Sequence, residues 1–385
     1  MGARFAPWRA AALACLVASC AVPGIASAAT ALDRLVADTC DKQVVLLGED
    51  SHHGSGGTME VKTTIVRRLV DECGFSGVLF ESQVYDFLDL ERAFARGDAT
   101  PKLVAETIGG LWSGSSDGDA LAASLFQRAS AGKVMLGGLD PQLGGAMQRF
   151  TQQRLPAQLA SHLRGDRKAE CESTLSTLTN WRFDATTRYD DVFRKSLRSC
   201  LADIQGAFPE PHAGASNDQV MVRNLLRYLD MASGNSFAIR DRAMFDNLQW
   251  YLARLPAQAK VIVWCATVHA ARQPWDGDSE RLPLGYYVHR ELGDRAAAIG
   301  FSALSGSRGA RGRPPVPLTP AAAGSLEVRA FSEGAGDLRY LDSDQLDALG
   351  AIPGRAVDYT RSTPAEWGRI LDGLLVLRRE RPPLQ

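Results

Sequence analysis

Several things are scarce in this sequence, and each scarcity removes a class of protein. A formal net charge of -1 over 385 residues gives no basis for a nucleic-acid partner or an anionic membrane surface. No CxxC pair occurs among the seven cysteines, which excludes the usual structural zinc and thioredoxin-type centres. No apolar run beyond the first two dozen residues is long enough to span a bilayer, and no internal repeat marks a solenoid. Histidine is scarce too: six in all, of which two are adjacent, His52 and His53.

What is present is ordinary globular composition. It is 45% hydrophobic and 23% charged, enough for a large core in one domain or two. The first residues stand apart. Arg4 and Arg9 precede an alanine-rich apolar stretch from Ala10 to Val22, followed by Ala26-Ser27-Ala28. This is the pattern of a secretory signal peptide over residues 1–28. The alternative is a lipoprotein signal at Val17-Ala18-Ser19-Cys20, in which lipidated Cys20 would be the one membrane attachment. Residues 29–385 are then the mature domain, periplasmic or secreted.

Export changes the meaning of the remaining cysteines, because disulfides persist in oxidising compartments. Cys40, Cys73, Cys171, Cys200 and Cys265 follow the leader. Cys265 lies inside the apolar run "KVIVWCA" and reads as a buried thiol. Cys40 precedes one predicted strand and Cys73 another. If those strands are parallel neighbours, about 4.8 Å apart, the two cysteines fall within disulfide reach. Cys171 and Cys200 would clip two helices together.

Short apolar runs bounded by turn residues predict buried strands at 43–48, 77–81, 133–138, 260–265, 296–301 and 373–378. They lack polar alternation, as suits a mostly parallel sheet covered on both faces. Helical periodicity separates them, so the fold class is α/β, with βαβ units over 31–140. Residues 150–235 are polar and helix-favouring, a helical insertion or cap, and substrate specificity is expected to lie there. Residues 304–324, rich in Pro, Gly and Arg, read as a flexible surface loop.

Ligands of open α/β sheets bind beyond the carboxyl ends of the strands. Three predicted ends carry unusual residues. The first runs "VVLLGEDSHHGSGG" and delivers Glu49 and His52. The second, "GVLFES", ends in Glu81. The strand in "VIVWCATVHA" leads to His269. Carboxylates and imidazoles meeting at one rim suit general acid-base hydrolysis. Glu49, His52, His53, Glu81 and His269 are also competent metal ligands, but their spacing matches no strong metal motif. Ser116 in "GSSDG" fits the G-x-S-x-G pattern of a nucleophile elbow, yet "ETIGGLW" before it supplies no strand to carry one.

The stretch "LLGEDSHHGSGGTMEVKTTIVRRLVDECGFSGVLFES" resembles the opening motif of the erythromycin esterase family, which reads GExxHG, a helix with a basic residue, then a GF…FE strand. Further blocks are similar: "LWSGS" at 111–115, "LGGLDPQ" at 136–142, "IRDRAMFDNLQWYL" at 239–252, "VIVWCATVHAAR" at 261–272, "LGYYVHRELGDRAAAIGF" and "GSLE" at 324–327. The resemblance implies a mostly parallel sheet with helical regions around a cleft. It also implies metal-free, cofactor-free ester hydrolysis by water, with a histidine base among glutamates. Carried over by position, Glu49, His52, Glu81 and His269 are the catalytic candidates. His53, Lys62 and Arg240 are the candidates for binding substrate, a small-molecule ester with macrolide-like esters among the options.

Two departures stand out. The family's HNxH block reads Ala266-Thr267-Val268-His269, without its first histidine. The opening turn is one residue longer, so His52 matches counting from the strand and His53 counting from the helix. Counting from the strand selects His52 as the base. A binding protein that has lost turnover and a metal-dependent hydrolase are the alternative readings.

Overall fold

In the computed structural model, residues 30–144, 149–209, 214–232, 234–309, 314–332 and 336–384 are described. The proposed leader and Cys20 lie outside these residues. No helix among the described residues is long and apolar enough to cross a membrane.

Seven strands form the central sheet: β1 (Val44–Leu47), β2 (Phe75–Gln83), β3 (Met135–Asp140), β4 (Lys260–Trp264), β5 (Ala296–Ala303), β6 (Leu338–Asp342) and β7 (Gly373–Leu377). Their order is β3-β2-β4-β1-β5-β7-β6. All neighbours are parallel except β6, which pairs antiparallel with β7. Successive strand residues point to opposite faces, and both faces are covered. Val45, Leu47, Ile262 and Trp264 pack on one side and Val44, Leu46, Val261 and Val263 on the other. That double burial is why these strands read as unbroken apolar runs. The edge strand β6 is half exposed, with only Tyr340 buried, and its mixed sequence gave no such run.

The expected adjacency of β1 and β2 is not observed, because β4 lies between them. The Cys40–Cys73 disulfide is present all the same, with Cα atoms 5.2 Å apart. It joins the C-terminal ends of two helices, Ala31–Thr39 and Gly56–Cys73, rather than two strand starts. Lys260, the first residue of β4, donates to the carbonyl oxygens of both Cys40 (2.6 Å) and Cys73 (3.0 Å). The intervening strand is thereby tied to the bridge. Cys171–Cys200, with Cα atoms 5.5 Å apart, links helices Gly165–Thr179 and Asp191–Gly206. Cys265 is a buried free thiol.

Helices at Arg149–Gln153, Leu155–Ala160, Gly165–Thr179, Asp191–Gly206 and Asn217–Met231 occupy the middle of the chain. They pack on one face of the sheet through residues such as Leu175, Leu201, Val220 and Leu225. The loop expected to be a flexible excursion is stitched down in its described parts. Ser307–Arg308 pairs with Val316–Pro317, Gly309 N–H donates to Gly54 O, and Leu318 is buried.

One contact ties the two ends of the described chain together. Helix Gly56–Cys73 has no side-chain cap of its own. Instead Glu380, 323 residues away, accepts from Gly57 N–H at 2.7 Å and from Thr58 Oγ1 at 2.6 Å. Burial pushes the Glu380 carboxyl up to about 7 despite these donors.

Candidate active site

The carboxyl ends of four neighbouring parallel strands, β3, β2, β4 and β1, deliver the polar groups. Glu49 follows β1, Glu81 lies near the end of β2, Asp140 closes β3, and the segment after β4 carries Ala266 and His269. Close approach of β1 to that last segment demands a glycine at position 48, where a Cβ would come within 2.5 Å of Thr267 Oγ1. A cavity of about 660 Å³ opens at this rim. Its walls include His53, Glu81, Gln83, Glu106, Trp112, Asp140, Phe237, Arg240, Ala266 and His269. None of the described lining residues comes from the 150–235 helices expected to set specificity. The cavity is shaped instead by 106–112, 142–144, Phe237 and Arg281.

Two histidine stations face the cavity. At the first, His53 Nδ1 lies 2.7 Å from Glu49 Oε1. Trp112 Nε1 donates to the same oxygen, and the Trp112 ring meets the imidazole edge-on at 5.0 Å. Glu49 Oε2 accepts from Lys62 Nζ at 2.8 Å. His53 reaches this position because the turn closes on itself, with His53 N–H donating to Asp50 O at 2.9 Å. Its φ of 54° is left-handed and costs a β-carbon residue of order 1 kcal/mol. Burial works against charge on His53, but the Glu49 hydrogen bond and the charges of Glu81 and Glu49 outweigh it, so the pKa rises above the ordinary value. Burial likewise opposes ionisation of Glu49, yet the Lys62 ammonium and His53 hold its carboxyl below the usual range.

At the second station, His269 Nδ1 lies 2.8 and 2.9 Å from the oxygens of Asp241. Its Nε2 is 3.1 Å from Glu81 Oε1 and 3.0 Å from Arg240 Nη1. Nε2 cannot donate to Glu81 and accept from Arg240 at once. Burial lowers the pKa of His269, but Asp241 and Glu81 drive it up to about 9, so the imidazolium donating to both carboxylates is the form at neutral pH. Arg240 also donates to Glu81 Oε1 at 2.8 Å and Asp140 Oδ2 at 2.6 Å. Glu81 Oε2 accepts the Ala266 N–H at 2.7 Å. Burial would raise Glu81, but the His269 and Arg240 cations hold it well below the ordinary value. Phe237 stacks on the His269 ring at 5.3 Å.

Of the sequence candidates, the fold brings together Glu49, His53, Glu81, Arg240 and His269. It sets two apart. The His52 side chain is 43% exposed, against 11% for His53. Its Nδ1 lies near Asp50 and Asp358, away from Glu49. The left-handed step at His53 swings the second histidine, not the first, back over Glu49. Lys62 is wholly buried behind Glu49. It donates also to Cys265 O at 3.3 Å and sits 4.2 Å over the Trp264 ring, so it supports the site from beneath and does not line the cavity. Ser116 lies in the first turn of helix Ser116–Ser130 and its N–H donates to Leu384 O, so no strand-to-helix elbow exists there.

Three site residues were not singled out from sequence: Trp112, Asp140 and Asp241. Asp140 obeys the strand-end rule already applied to Glu49 and Glu81. Trp112 and Asp241 fall inside the family-like blocks "LWSGS" and "IRDRAMFDNLQWYL", but they lie in loop and helix, where no strand end picks out either residue. Among the described residues no metal-ligating group forms from Glu49, His53, Glu81 and His269.

Comparison with known proteins identifies the family and the fold. The candidate hydrolase YbfO of Bacillus subtilis (strain 168) is 23% identical over 382 residues, covering 87% of this chain and 81% of its own. Among solved structures, a succinoglycan biosynthesis protein superposes with a TM-score of 0.71 at 16% identity, over 92% of each chain. A variant of the erythromycin esterase EreC in its open conformation superposes at 0.64 and 14% identity, over 90% of this chain and 93% of its own. The erythromycin esterase family model matches residues 70–344, a span that holds Glu81, Trp112, Asp140, Arg240, Asp241 and His269 and begins after the Glu49–His53 turn. The chain belongs to the erythromycin esterase family.

Proposed function

We propose that the protein is an esterase-like hydrolase in which His53, not His52, is the general base. The observation that carries this is the His53–Glu49 pair, bonded through Nδ1 at 2.7 Å on the wall of a cavity that is also lined by Arg240 and His269. With Nδ1 committed to Glu49, Nε2 takes the proton of a water as its oxygen attacks the ester carbonyl. The cationic Arg240 and His269 receive the developing oxyanion. Collapse breaks the carbon–oxygen bond, and the imidazolium of His53 returns its proton to the departing alkoxide. Glu49 orients the base, and Lys62 holds Glu49 ionised. The substrate is a small-molecule ester, with macrolide-like esters in the panel to be tried.

An ester panel tests this through kcat/KM. His53→Ala and Glu81→Gln should each abolish most turnover of whichever ester is accepted. If both stay within a few-fold of the parent, the assignment is wrong. Ala266, where the family pattern has a histidine, supports a second reading as a binding protein without turnover. A ligand that raises Tm while no ester in the panel is cleaved would favour it. Export is part of the first reading, supported by the basic-then-apolar start of the sequence and by two disulfides. Cell fractionation followed by N-terminal sequencing tests it, and protein confined to the cytoplasmic fraction with Met1 intact would overturn it.

A further inference from the structure

The geometry points to a divalent-metal site on the outer side of the His53 turn, with Asp50, His52 and Asp358 as its protein ligands. Each offers one ligand atom, and the three lie within 4.8 Å of one another. His52 Nδ1 is 3.5 Å from Asp50 Oδ1 and 3.6 Å from Asp358 Oδ1. These separations are too long for good hydrogen bonds. They do match the edges of a coordination tetrahedron, which are about 3.3–3.6 Å for metal–ligand bonds of about 2.0–2.2 Å.

A second observation points to a cation. Asp50 is fully buried, and its Oδ2 is enclosed with no hydrogen-bond partner. An enclosed carboxylate oxygen without a donor is costly, and burial accordingly pushes this carboxyl above its ordinary pKa. Arg308 acts on Asp50 from nearby but makes no hydrogen bond to it among those observed. An ion bound at Oδ1, the oxygen that faces His52, would neutralise this buried carboxylate and so offset the cost of the enclosed Oδ2.

The two carboxylates are already oriented, as metal-bound carboxylates are by their own hydrogen bonds. Asp50 Oδ1 accepts from Tyr359 N–H at 2.9 Å. Asp358 Oδ1 accepts from Thr360 N–H at 2.7 Å and Thr360 Oγ1 at 2.6 Å. His52 Nδ1 also lies 3.4 Å from Ser51 Oγ. His52 and Asp358 are partly exposed, which leaves a fourth position for water. One imidazole and two carboxylates suit Zn²⁺ and its first-row neighbours. The site would clip the turn that carries His53 to the segment 357–359, reinforcing the Ser51 N–H to Val357 O bond of 3.2 Å. It takes no part in the proposed hydrolysis.

The test uses the full chain stripped with chelator, then titrated with ZnCl₂ by calorimetry and with CoCl₂ by visible absorption. The expected result is one ion per chain, a Tm rise of about 3 °C or more at saturation, and the intense visible band of four-coordinate Co²⁺. His52→Ala and Asp358→Asn should each weaken binding by about tenfold or more and remove the band, while their metal-free Tm stays near the parent's. Absence of Zn²⁺ binding at 100-micromolar ion (about the top of a useful range) overturns the proposal. So does binding that survives in both variants, which would place the ion on other side chains.

Discussion

The two histidine stations use the same residue types, yet their neighbours make them opposites. His53 meets one carboxylate, Glu49, whose charge is shared with Lys62 at 2.8 Å. His269 lies between two carboxylates, Asp241 and Glu81, with Arg240 beside it. The Glu49 hydrogen bond and the nearby carboxylate charges raise His53 against burial, and Asp241 and Glu81 raise His269 to about 9. His269 is held charged by two carboxylates and cannot accept a proton, whereas the carboxylate bonded to His53 shares its charge with Lys62. The counter-ion count around each imidazole is the physical ground on which the proposed base and its proposed electrostatic partner differ.

The largest expected effect is removal of the base. His53→Ala should lower kcat by about 10²–10⁴-fold, while His269→Asn, which keeps a donor, should lose less. Steady-state kinetics on the accepted ester reads the difference, and equal losses would erase the distinction drawn between the stations. Next comes the cation under Glu49. Lys62→Met removes the buried ammonium that pairs with Glu49 Oε2 and should cost roughly 3–5 kcal/mol in denaturant unfolding. It should also move the acid limb of the pH–rate profile upward, because the Lys62 charge depresses the His53 pKa. In the parent that limb should already lie above the ordinary histidine value of about 6.5, with activity rising as His53 loses its proton.

The pH dependence of stability sharpens the contrast at the other station. The folded pKa of His269 is raised to about 9 over an unfolded value of about 6.5. Its stabilisation is therefore complete below about pH 6.5 and is lost as pH climbs through 9. Wild type should lose on the order of 3 kcal/mol across that window, and His269→Asn should flatten the slope. A slope unchanged in the variant would show that another group titrates there. Trp112→Phe should cost about 1–2 kcal/mol, since Glu49 loses a buried donor. The smallest catalytic effect belongs to His52→Ala, less than about tenfold in kcat/KM, and a loss matching that of His53→Ala would return the base to His52.

The sheet's six apolar strands were legible because burial on both faces writes itself as an unbroken run. The antiparallel edge strand Leu338–Asp342, exposed on part of its surface, left no such mark. Strand order was not legible either. Nothing local to Lys260–Trp264 says that it enters between β1 and β2, since that choice is made by packing across more than two hundred residues. Glu49, Glu81 and His269 could be read from strand ends, where backbone direction fixes where a side chain emerges. The choice between His52 and His53 depended on a single left-handed φ, which periodicity does not encode. Asp241 was invisible for a different reason: it reaches His269 from a helix face, as one polar residue among several.

The cap that Glu380 places on helix Gly56–Cys73 has a consequence in time. The helix that follows the His53 turn leaves the ribosome 323 residues before the carboxylate that closes its first turn. At about 5–20 residues per second, that interval is roughly 16–65 s. Throughout it the first N–H groups of the helix have only water or chaperone to bond. The His53 turn and the helix after it are thus made long before they are locked, so slowed or stalled synthesis should leave them exposed to protease for that whole interval.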